Sequence, residues 1–356
     1  MNHHRRGSGS PIALNHHRRG SGSPIVLIHG IGSRWQVWNP VIDRLAEQHD
    51  VIALDLPGFG SSADDGVPGS VPHLADRVAA FLSELGVRHP AIGGSSLGGG
   101  IALELARRGI ARSVVAFSPI GFFGAAGAAW CRTVLHLARA GGATLRPALP
   151  GLFATRAGRI ALCGIFYGHP ASLDPADCLA DATALAAAPG FAAARRELGE
   201  WRLTSTIPGA SPFSAASPTS GLSPTPGVSP TPGVSPTPGV TPTPGVSPTP
   251  GVSPTPGVTP TPGVSPTPGV TPTPGVSPTP GVTPTPGLLP IHGASPIAGV
   301  PVTVAWGDRD LVLPYRQAKR ARRILPDARH VRLAGCGHLP FADDPVTCAR
   351  LLLEAA

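Results

Sequence analysis

The stretch AIGGSSLGGG, residues 91–100, joins a short apolar run to the pattern Gly94-Ser95-Ser96-Leu97-Gly98. The apolar run predicts a buried strand and the following residues recur at helical spacing, so the pattern falls on a strand-to-helix turn. Such a turn projects its central side chain away from the sheet, and it needs glycine where neighbouring backbone comes too close for a Cβ atom. Ser96 has glycine two residues before and two residues after it, whereas Ser95 lacks the second glycine. Ser96 is therefore predicted to lie at the tip of the turn.

A serine hydroxyl at such a turn becomes a nucleophile only when a base takes its proton and an acid orients that base. We expect the acid and the histidine on loops after later strands, in that order along the chain. The predicted strand Val302 to Trp306 ends in Gly307-Asp308-Arg309-Asp310, and His330 to Leu333 ends in Gly335-Cys336-Gly337-His338. The carboxyl ends of parallel strands form the edge where open α/β sheets place their ligands. The sequence thus predicts a serine, a carboxylate and a histidine at one edge of a sheet.

The chain resembles the α/β-hydrolase superfamily, in the branch of serine esterases, cofactor-free haloperoxidase-like enzymes and carbon–carbon bond hydrolases. The motifs that carry the resemblance are His29-Gly30, Asp55-Leu56-Pro57-Gly58-Phe59-Gly60, the turn at Ser96, Trp306-Gly307-Asp308-Arg309-Asp310 and Gly335-Cys336-Gly337-His338. The resemblance covers residues 24–123 and 300–356, and it covers residues 124–204 only as a generic helical cap.

The resemblance implies a catalytic triad of Ser96, Asp310 and His338. The family pattern places the acid three residues after the glycine, which favours Asp310 over Asp308, a candidate cap of the same loop. A serine at the nucleophile position excludes the relatives that use an aspartate there. No metal and no organic cofactor is implied.

The resemblance also implies an oxyanion hole built from the backbone N–H groups of Ile31 and Leu97. Such donors act on the negative charge that appears on the carbonyl oxygen in the tetrahedral intermediate. Cys336 is an alternative nucleophile, but its position two residues before His338 on one loop favours a packing role. His29 is interpreted as a structural residue of its loop, not as the base.

The fold class that we predict is α/β, with a mostly parallel sheet of about six strands flanked by helices. The predicted strands are Ile25 to His29, Val51 to Asp55, Ala91 to Ser95, Val114 to Ser118, Val302 to Trp306 and His330 to Leu333. Relatives begin with two further strands, and the residues before Pro24 are few and polar. We therefore expect the sheet to lack those first two strands.

The chain divides into five predicted segments. They are a duplicated flexible leader (1–23), the first part of the hydrolase core (24–123), a helical lid (124–204), a low-complexity insert (205–299) and the last part of the core (300–356).

The leader contains most of a tandem duplication, since residues 2–14 recur as residues 15–27 with Ala13 replaced by Val26. A disordered leader is favoured over the alternative of a His-rich metal site at His3, His4, His16 and His17.

The insert contains eleven tandem hexads of the type Ser/Thr-Pro-Thr-Pro-Gly-Val across residues 223–288. Two prolines in each hexad exclude the interior of helices and sheets, so this segment is predicted to be a disordered loop or stalk.

Composition excludes several classes of protein. The net charge of +8 includes four arginines in the two His-His-Arg-Arg copies, and the remaining basic residues form no stripe with aromatics, so nucleic-acid binding is not expected.

The five cysteines show no Cys-x-x-Cys spacing, which argues against a disulfide framework or zinc site. No apolar segment follows the basic N-terminus, and the uncharged stretch Ser113 to Cys131 fits a strand and a small-residue helix. We expect a cytoplasmic protein without stable membrane insertion.

The function that we predict is hydrolysis of a carboxylic ester or related acyl bond in a small, hydrophobic substrate. The apolar lid, with Trp130, Phe166 and Trp201, favours such a substrate. Two alternatives remain open. One is a carbon–carbon bond hydrolase or an acyltransferase with the same triad, and the other is a catalytically inactive binding protein of the same fold.

Overall fold

A mixed seven-stranded sheet organises the residues that this computed structural model describes, namely 13–66, 69–203, 297 and 299–356. The strands are β1 (His16–Arg19), β2 (Pro24–Ile28), β3 (Asp50–Leu54), β4 (Ala91–Ser95), β5 (Ser113–Phe117), β6 (Val302–Gly307) and β7 (Arg329–Leu333). Their spatial order is β1-β3-β2-β4-β5-β6-β7, and every pair is parallel except β1 with β3. The predicted α/β class with a mostly parallel sheet is confirmed. Apart from residues 297 and 299, the predicted insert 205–299 lies outside the described residues.

Ten α-helices accompany the strands in the described ranges. They are α1 (Asn39–Ala46), α2 (Val71–Glu84), α3 (Leu97–Arg107), α4 (Ala125–Thr144), α5 (Leu149–Ala154), α6 (Arg156–Cys163), α7 (Pro175–Ala187), α8 (Phe191–Glu197), α9 (Ala318–Ile324) and α10 (Pro345–Ala355). Three of these helices have a polar N-cap residue whose side chain accepts a backbone N–H of the first turn. The N-cap residues are Ser70 for α2, Asp174 for α7 and Asp344 for α10.

The sheet separates two apolar cores. Strands β3, β4 and β5 are buried along their whole length, because helices cover both faces. One core contains apolar residues of α1 and α10, and its rings of Trp38, Phe117 and Phe341 lie 4.1 to 6.1 Å apart. The other core contains the apolar faces of α2 and α3 and part of residues 124–203. These inner strands are thereby packed between two apolar layers.

The position of β2 fixes where a ligand can bind. Strand β3 pairs with one side of β2 and β4 pairs with the other, so the chain leaves β2 and β4 in opposite directions. A crevice opens at the carboxyl ends of parallel strands where the strand order reverses in this way. The loops after β2 and β4, which start at His29 and Ser96, border that crevice.

Strand β1 corrects the expectation of a flexible leader over residues 1–23. Residues 1–12 lie outside the described residues, but His16–Arg19 pairs antiparallel with β3 and supplies a strand before Pro24. Each polar side chain of β1 has a partner far along the chain. The His17 ring stacks on Trp35 with centroids 4.4 Å apart, and Arg18 makes two hydrogen bonds of 2.8 and 2.7 Å to Asp50.

Residues 124–203 contain the five helices α4 to α8 and, over that continuous stretch, no strand. Helix α4 packs against α7, and α5 packs against α6 and α7. In the part of the chain that the structure describes, no helix combines the length and apolar character needed to cross a bilayer. We call residues 124–203 the lid segment below.

Candidate active site

Ser96 occupies a strained turn between β4 and α3. Its backbone has φ 55° and ψ −112°, a region that residues with a Cβ atom rarely adopt. The backbone is held there by a 2.9 Å hydrogen bond from the Ser96 N–H to Phe117 and by two 3.1 Å bonds from Gly100 and Ile120 to the Ser96 carbonyl. The surrounding sheet and helix thus impose the strained conformation of this buried serine.

The two glycines of the turn are required by close backbone contacts. A Cβ atom on Gly94 would overlap the carbonyl oxygen of Gly98, and one on Gly98 would overlap that of Ile28. Ser95 points elsewhere: its hydroxyl is buried and has no hydrogen-bond partner among the described residues. The geometry therefore singles out Ser96, not its neighbour, as the serine that faces the crevice.

Asp310 and His338 form a buried hydrogen-bonded pair. The His338 Nδ1 atom lies 2.8 Å from Asp310 Oδ2, and both side chains are at most 4% exposed. The other carboxylate oxygen of Asp310 accepts the N–H groups of Val312 and Leu313 at 2.9 and 2.7 Å, which fixes the carboxylate in its loop. A carboxylate on Nδ1 leaves Nε2 of the imidazole for a second partner.

Asp308, the weaker candidate for the acid, faces a different set of partners. Its carboxylate accepts the Gly335 N–H at 2.8 Å and lies 2.9 Å from the Arg332 guanidinium. It therefore ties the loop after β6 to the loop that carries His338, without touching the imidazole of that residue.

The loop after β2 carries the first predicted oxyanion donor. His29 is fully buried; its Nδ1 donates to the Gly30 carbonyl at 2.7 Å and its Nε2 accepts the Leu56 N–H at 3.0 Å. Gly30 lies directly over the serine, since a Cβ atom on it would come within 3.1 Å of the Ser96 Cβ.

Both predicted oxyanion donors lack a hydrogen-bond acceptor among the described residues. Within residues 13–66 and 69–203, together with 297 and 299–356, the N–H groups of Ile31 and Leu97 donate no hydrogen bond. Ile31 follows Gly30, which packs against Ser96, and Leu97 follows Ser96 as the first residue of α3. Unpaired amides beside a nucleophile are the usual composition of an oxyanion hole.

A cavity of about 670 Å³ joins these groups. Ser96 and His338 both line it, as do Gly30 and Ile31. The lid segment supplies most of the remaining wall, including Trp130, Val134, Phe153, Phe166, Tyr167 and Leu185. A largely apolar cavity of this size suits a small ligand.

Ser96 and His338 share the cavity without a direct bond. Among the described residues, the Ser96 hydroxyl makes no hydrogen bond. Catalytic hydrogen bonds are often long in structures that lack substrate and tighten when substrate binds. Trp201, expected to contribute to the substrate site with Trp130 and Phe166, instead packs beside Gly100 and Gly121 and is not part of the cavity wall.

An ion pair joins the lid segment to the loop after β2. The Arg34 guanidinium lies 3.2 Å from an Asp181 oxygen on α7, and Tyr167 donates a 3.4 Å hydrogen bond to the other oxygen. Burial raises the pKa of the Asp181 carboxyl, with Arg34 opposing that shift. All three residues line the cavity and are among its polar residues.

Asp55 anchors the loop after β3. The sequence predicted no separate role for it beyond its place in the motif that begins there. Its carboxylate accepts the side-chain amide of Asn15 at 2.7 Å and the backbone N–H groups of Trp35 and Ser61 at 2.7 and 2.9 Å. Nothing in the sequence indicated that Asn15, within a repeated polar segment, would be one of its partners.

Two alternatives from the sequence concern Cys336 as a nucleophile and a His-rich metal site near the N-terminus. Cys336 is buried, its thiol contacts the Ala334 carbonyl at 3.7 Å, and burial raises its pKa to about 12, so the reactive thiolate is disfavoured. His3 and His4 lie outside the described residues. In the part that is described, no three His, Cys, Asp or Glu side chains are arranged to hold a metal ion.

Known proteins resemble parts of this chain in sequence. The sequence profile of a family described as "alpha/beta hydrolase fold" matches residues 23–119. The chain is 35% identical over 124 residues to the dihydrolipoyllysine-residue acetyltransferase component of the acetoin cleaving system of Cupriavidus necator, covering 34% of this chain and 30% of that protein. It is 42% identical over 80 residues to the pimeloyl-[acyl-carrier protein] methyl ester esterase of Aeromonas hydrophila, covering 22% and 30%. The chain thus spans less than a third of the length of these curated relatives.

Solved structures resemble this chain over more of its length than the curated relatives do. A thermophilic esterase from Thermogutta terrifontis superposes with a TM-score of 0.58 at 17% identity, covering 98% of this chain and 94% of that one. Identity this low establishes likeness of fold alone, and the chemistry has to be argued from the side chains.

Proposed function

We propose that this protein of α/β-hydrolase fold is a serine hydrolase that cleaves a carboxylic ester or related acyl bond of a small, hydrophobic substrate. One observation carries the proposal: His338, which is hydrogen-bonded to the buried Asp310, lines the same cavity as Ser96 at its strained turn. A base and an orienting acid are the two groups that activate a serine hydroxyl, so a serine beside such a pair can act as a nucleophile.

Acylation begins when substrate brings the Ser96 hydroxyl against Nε2 of His338. The imidazole takes the proton while Oγ attacks the acyl carbon, and a tetrahedral intermediate forms. Asp310 holds the tautomer with the proton on Nδ1 and stabilises the imidazolium that results, because its carboxylate already lies 2.8 Å away. His338 then donates its proton to the departing alcohol, and the acyl group remains on Ser96.

Deacylation reverses the roles with water as the nucleophile. His338 takes a proton from a water molecule that attacks the acyl carbon, and it returns that proton to Ser96 Oγ when the acid leaves. One base thus serves both steps, and no further protein acid is required.

The backbone amides of Ile31 and Leu97 are the proposed donors that stabilise the negatively charged oxygen of each intermediate. Neither N–H has a partner in the described part of the chain, so neither must break a bond before it can donate. A single donor of this kind typically stabilises the transition state by about 3 kcal/mol. Because these donors belong to the backbone, they cannot be removed by ordinary substitution.

The cavity wall supports an apolar acyl or alcohol group. Trp130, Phe153 and Phe166 contribute aromatic surface, while Arg34 and Asp181 form an ion pair with each other. Burial of apolar substrate surface at roughly 25 cal/mol per Å² would supply most of the binding free energy.

A fluorophosphonate probe tests the nucleophile, because it reacts covalently with activated serines. We expect the wild-type protein and Ser95→Ala to be labelled and Ser96→Ala to remain unlabelled. Ser95 is the matched control, since it is the adjacent serine and its buried hydroxyl has no partner among the described residues. If folded wild-type protein is not labelled, the catalytically inactive binding protein becomes the better hypothesis.

A panel of p-nitrophenyl esters tests the substrate class. We expect faster turnover of the hexanoate than of the acetate, and slow turnover of the palmitate, because the cavity is apolar but bounded. Product analysis with an added alcohol separates hydrolysis from acyl transfer, and a vinylogous diketone tests carbon–carbon bond cleavage. Labelling of Ser96 without ester turnover would favour one of these two reactions.

A further inference from the structure

The lid segment is fastened to the loop of His338 over residues 166–169. The Leu339 N–H donates to the Phe166 carbonyl at 2.9 Å, and the Arg309 guanidinium donates to the Gly168 carbonyl at 3.2 Å. Phe166 and Tyr167 line the cavity, as do His338 and Leu339. This stretch of the lid segment is therefore part of the wall that surrounds the imidazole.

The contact between the two loops leaves no space for side chains. A Cβ atom on Gly168 would overlap the carbonyl oxygen of Gly335, and one on Gly337 would lie 2.5 Å from the carbonyl oxygen of Phe166. The two backbones meet directly, so a displacement of one loop must displace the other. Backbone contact this close requires glycine at both positions.

A single buried carboxylate joins the two loops. Asp343 Oδ2 accepts the N–H groups of Gly168 and Gly337, each at 2.8 Å. Its Oδ1 accepts the His169 N–H at 2.8 Å, and the half-exposed imidazole of His169 lies 3.5 Å from that oxygen. The side chain of Asp343 has no exposed surface. Three amide donors on one carboxylate fix its position by hydrogen bonds of defined direction.

We propose that Asp343 is a positioning residue of the active site, which sets the place of His338 through Gly337 and joins it to the cavity wall of the lid segment. This inference rests on the proposed function, because it assigns His338 the role of base. Asp343 contacts backbone amides and not the reacting atoms. It acts by fixing the residue immediately before the imidazole, whose ring is fixed from the other side by Asp310.

The effect of losing Asp343 follows from the tolerance of a catalytic site for misplacement. A displacement of about 1 Å can lower a rate by 10²-fold, since reacting atoms must meet at near-bonding distance. Asp343→Ala removes the acceptor of three amides, and we expect kcat for ester hydrolysis to fall by about 10- to 100-fold. Asp343→Asn keeps one oxygen and turns an NH₂ group toward an amide donor, so we expect a smaller loss.

Asp344→Asn is the matched control. Asp344 adjoins Asp343 in sequence, but it accepts the Thr347 N–H at 3.0 Å and begins α10. Asparagine is an equally good residue at the start of a helix, so this variant is expected to retain wild-type kcat.

A second measurement does not depend on activity. The proton between His338 Nδ1 and Asp310 is expected to give a downfield proton NMR resonance in the wild type and in Asp344→Asn. We expect Asp343→Ala and Asp343→Asn to shift or broaden it, whereas loss of packing alone would leave it in place in folded protein. If Asp343→Ala does not fold by circular dichroism, Asp343→Asn decides the question by both readouts.

The outcomes separate the two proposals. Unchanged kcat and an unchanged resonance in folded Asp343 variants would overturn the positioning role, while labelling of Ser96 would still support the hydrolase. If the wild type is neither labelled by fluorophosphonate nor active on esters, the hydrolase proposal fails. The resonance alone then tests whether Asp343 positions the imidazole.

Discussion

The Nε2 atom of His29 accepts a hydrogen bond from the backbone N–H of Leu56 at 3.0 Å. Its Nδ1 atom lies 2.7 Å from the Gly30 carbonyl and must donate there, so the imidazole is neutral with its proton on Nδ1. Both ring nitrogens are occupied by backbone groups. His29 therefore holds the loop that carries Ile31, and it has no nitrogen left to act as a base.

Replacing His29 is predicted to change how stability depends on pH. Burial lowers the pKa of His29, partly opposed by Asp55. Below pH ~6.5 the unfolded chain binds a proton that the folded protein excludes, so this residue lowers stability as pH falls. The loss amounts to about 1.4 kcal/mol for each pH unit below that value while His29 stays neutral in the fold.

Denaturant unfolding of wild type and His29→Asn at pH 5, 6, 7 and 8 measures this contribution. We expect His29→Asn to be less stable at pH 8, because the Leu56 N–H loses its partner, yet to lose less stability between pH 7 and pH 5. His136→Asn, at an exposed position on α4, is expected to keep the wild-type pH dependence. Parallel curves for wild type and His29→Asn would contradict the neutral assignment.

Substitution of Asp310 is predicted to lower activity without unfolding the protein. Asp310→Asn can still accept the N–H groups of Val312 and Leu313, but it can present an NH₂ group to His338 and favour the wrong tautomer. We expect kcat for ester hydrolysis to fall by about 10³- to 10⁴-fold. The control is Asp308→Asn, two residues earlier in the same loop, which we expect to stay close to wild type. Equal losses in both variants would refute the assignment of Asp310.

The ion pair between Arg34 and Asp181 is predicted to couple the lid segment to the loop after β2. A double-mutant cycle of Arg34→Ala and Asp181→Asn should give a coupling free energy of about 0.5–1 kcal/mol at pH 8, since both side chains are partly exposed. Because burial raises the Asp181 pKa, the coupling is expected to vanish on acidification at a higher pH than for an ordinary aspartate. Coupling that persists down to pH 3 would contradict the ion pair.

The strands that carry the site were predictable to within one residue at each end. Buried parallel strands are continuous apolar runs, and the predicted Ala91 to Ser95 coincides with β4. Strand β1 was not predictable in the same way. Its sequence His16-His17-Arg18-Arg19 has no apolar residue, and it is stabilised by Trp35, Phe81 and Asp50, whose proximity only the folded sheet creates.

The candidate site likewise contains residues that local sequence motifs predict and one residue that only the folded structure reveals. Ser96, Asp310 and His338 stand in local motifs, so the sequence could nominate them. Asp343 follows His338 by five residues but could not be nominated, because two of its three partners are amides of Gly168 and His169 in the lid segment. Backbone donors leave no pattern in a sequence, and sequence separation hides which loops meet.

The turn at Ser96 is predicted to tolerate no side chain at Gly98. A Cβ atom there would overlap the Ile28 carbonyl oxygen and lie 2.5 Å from that of His29, so we expect Gly98→Ala to cost about 3 kcal/mol or more. Gly151, in α5, is the matched control because among the described residues an added Cβ meets nothing outside its own helix within 4 Å. Gly151→Ala should gain up to ~1 kcal/mol from helix propensity. Denaturant unfolding measures both, and a Gly98→Ala protein of wild-type stability would mean that β2 and α3 do not meet at this turn.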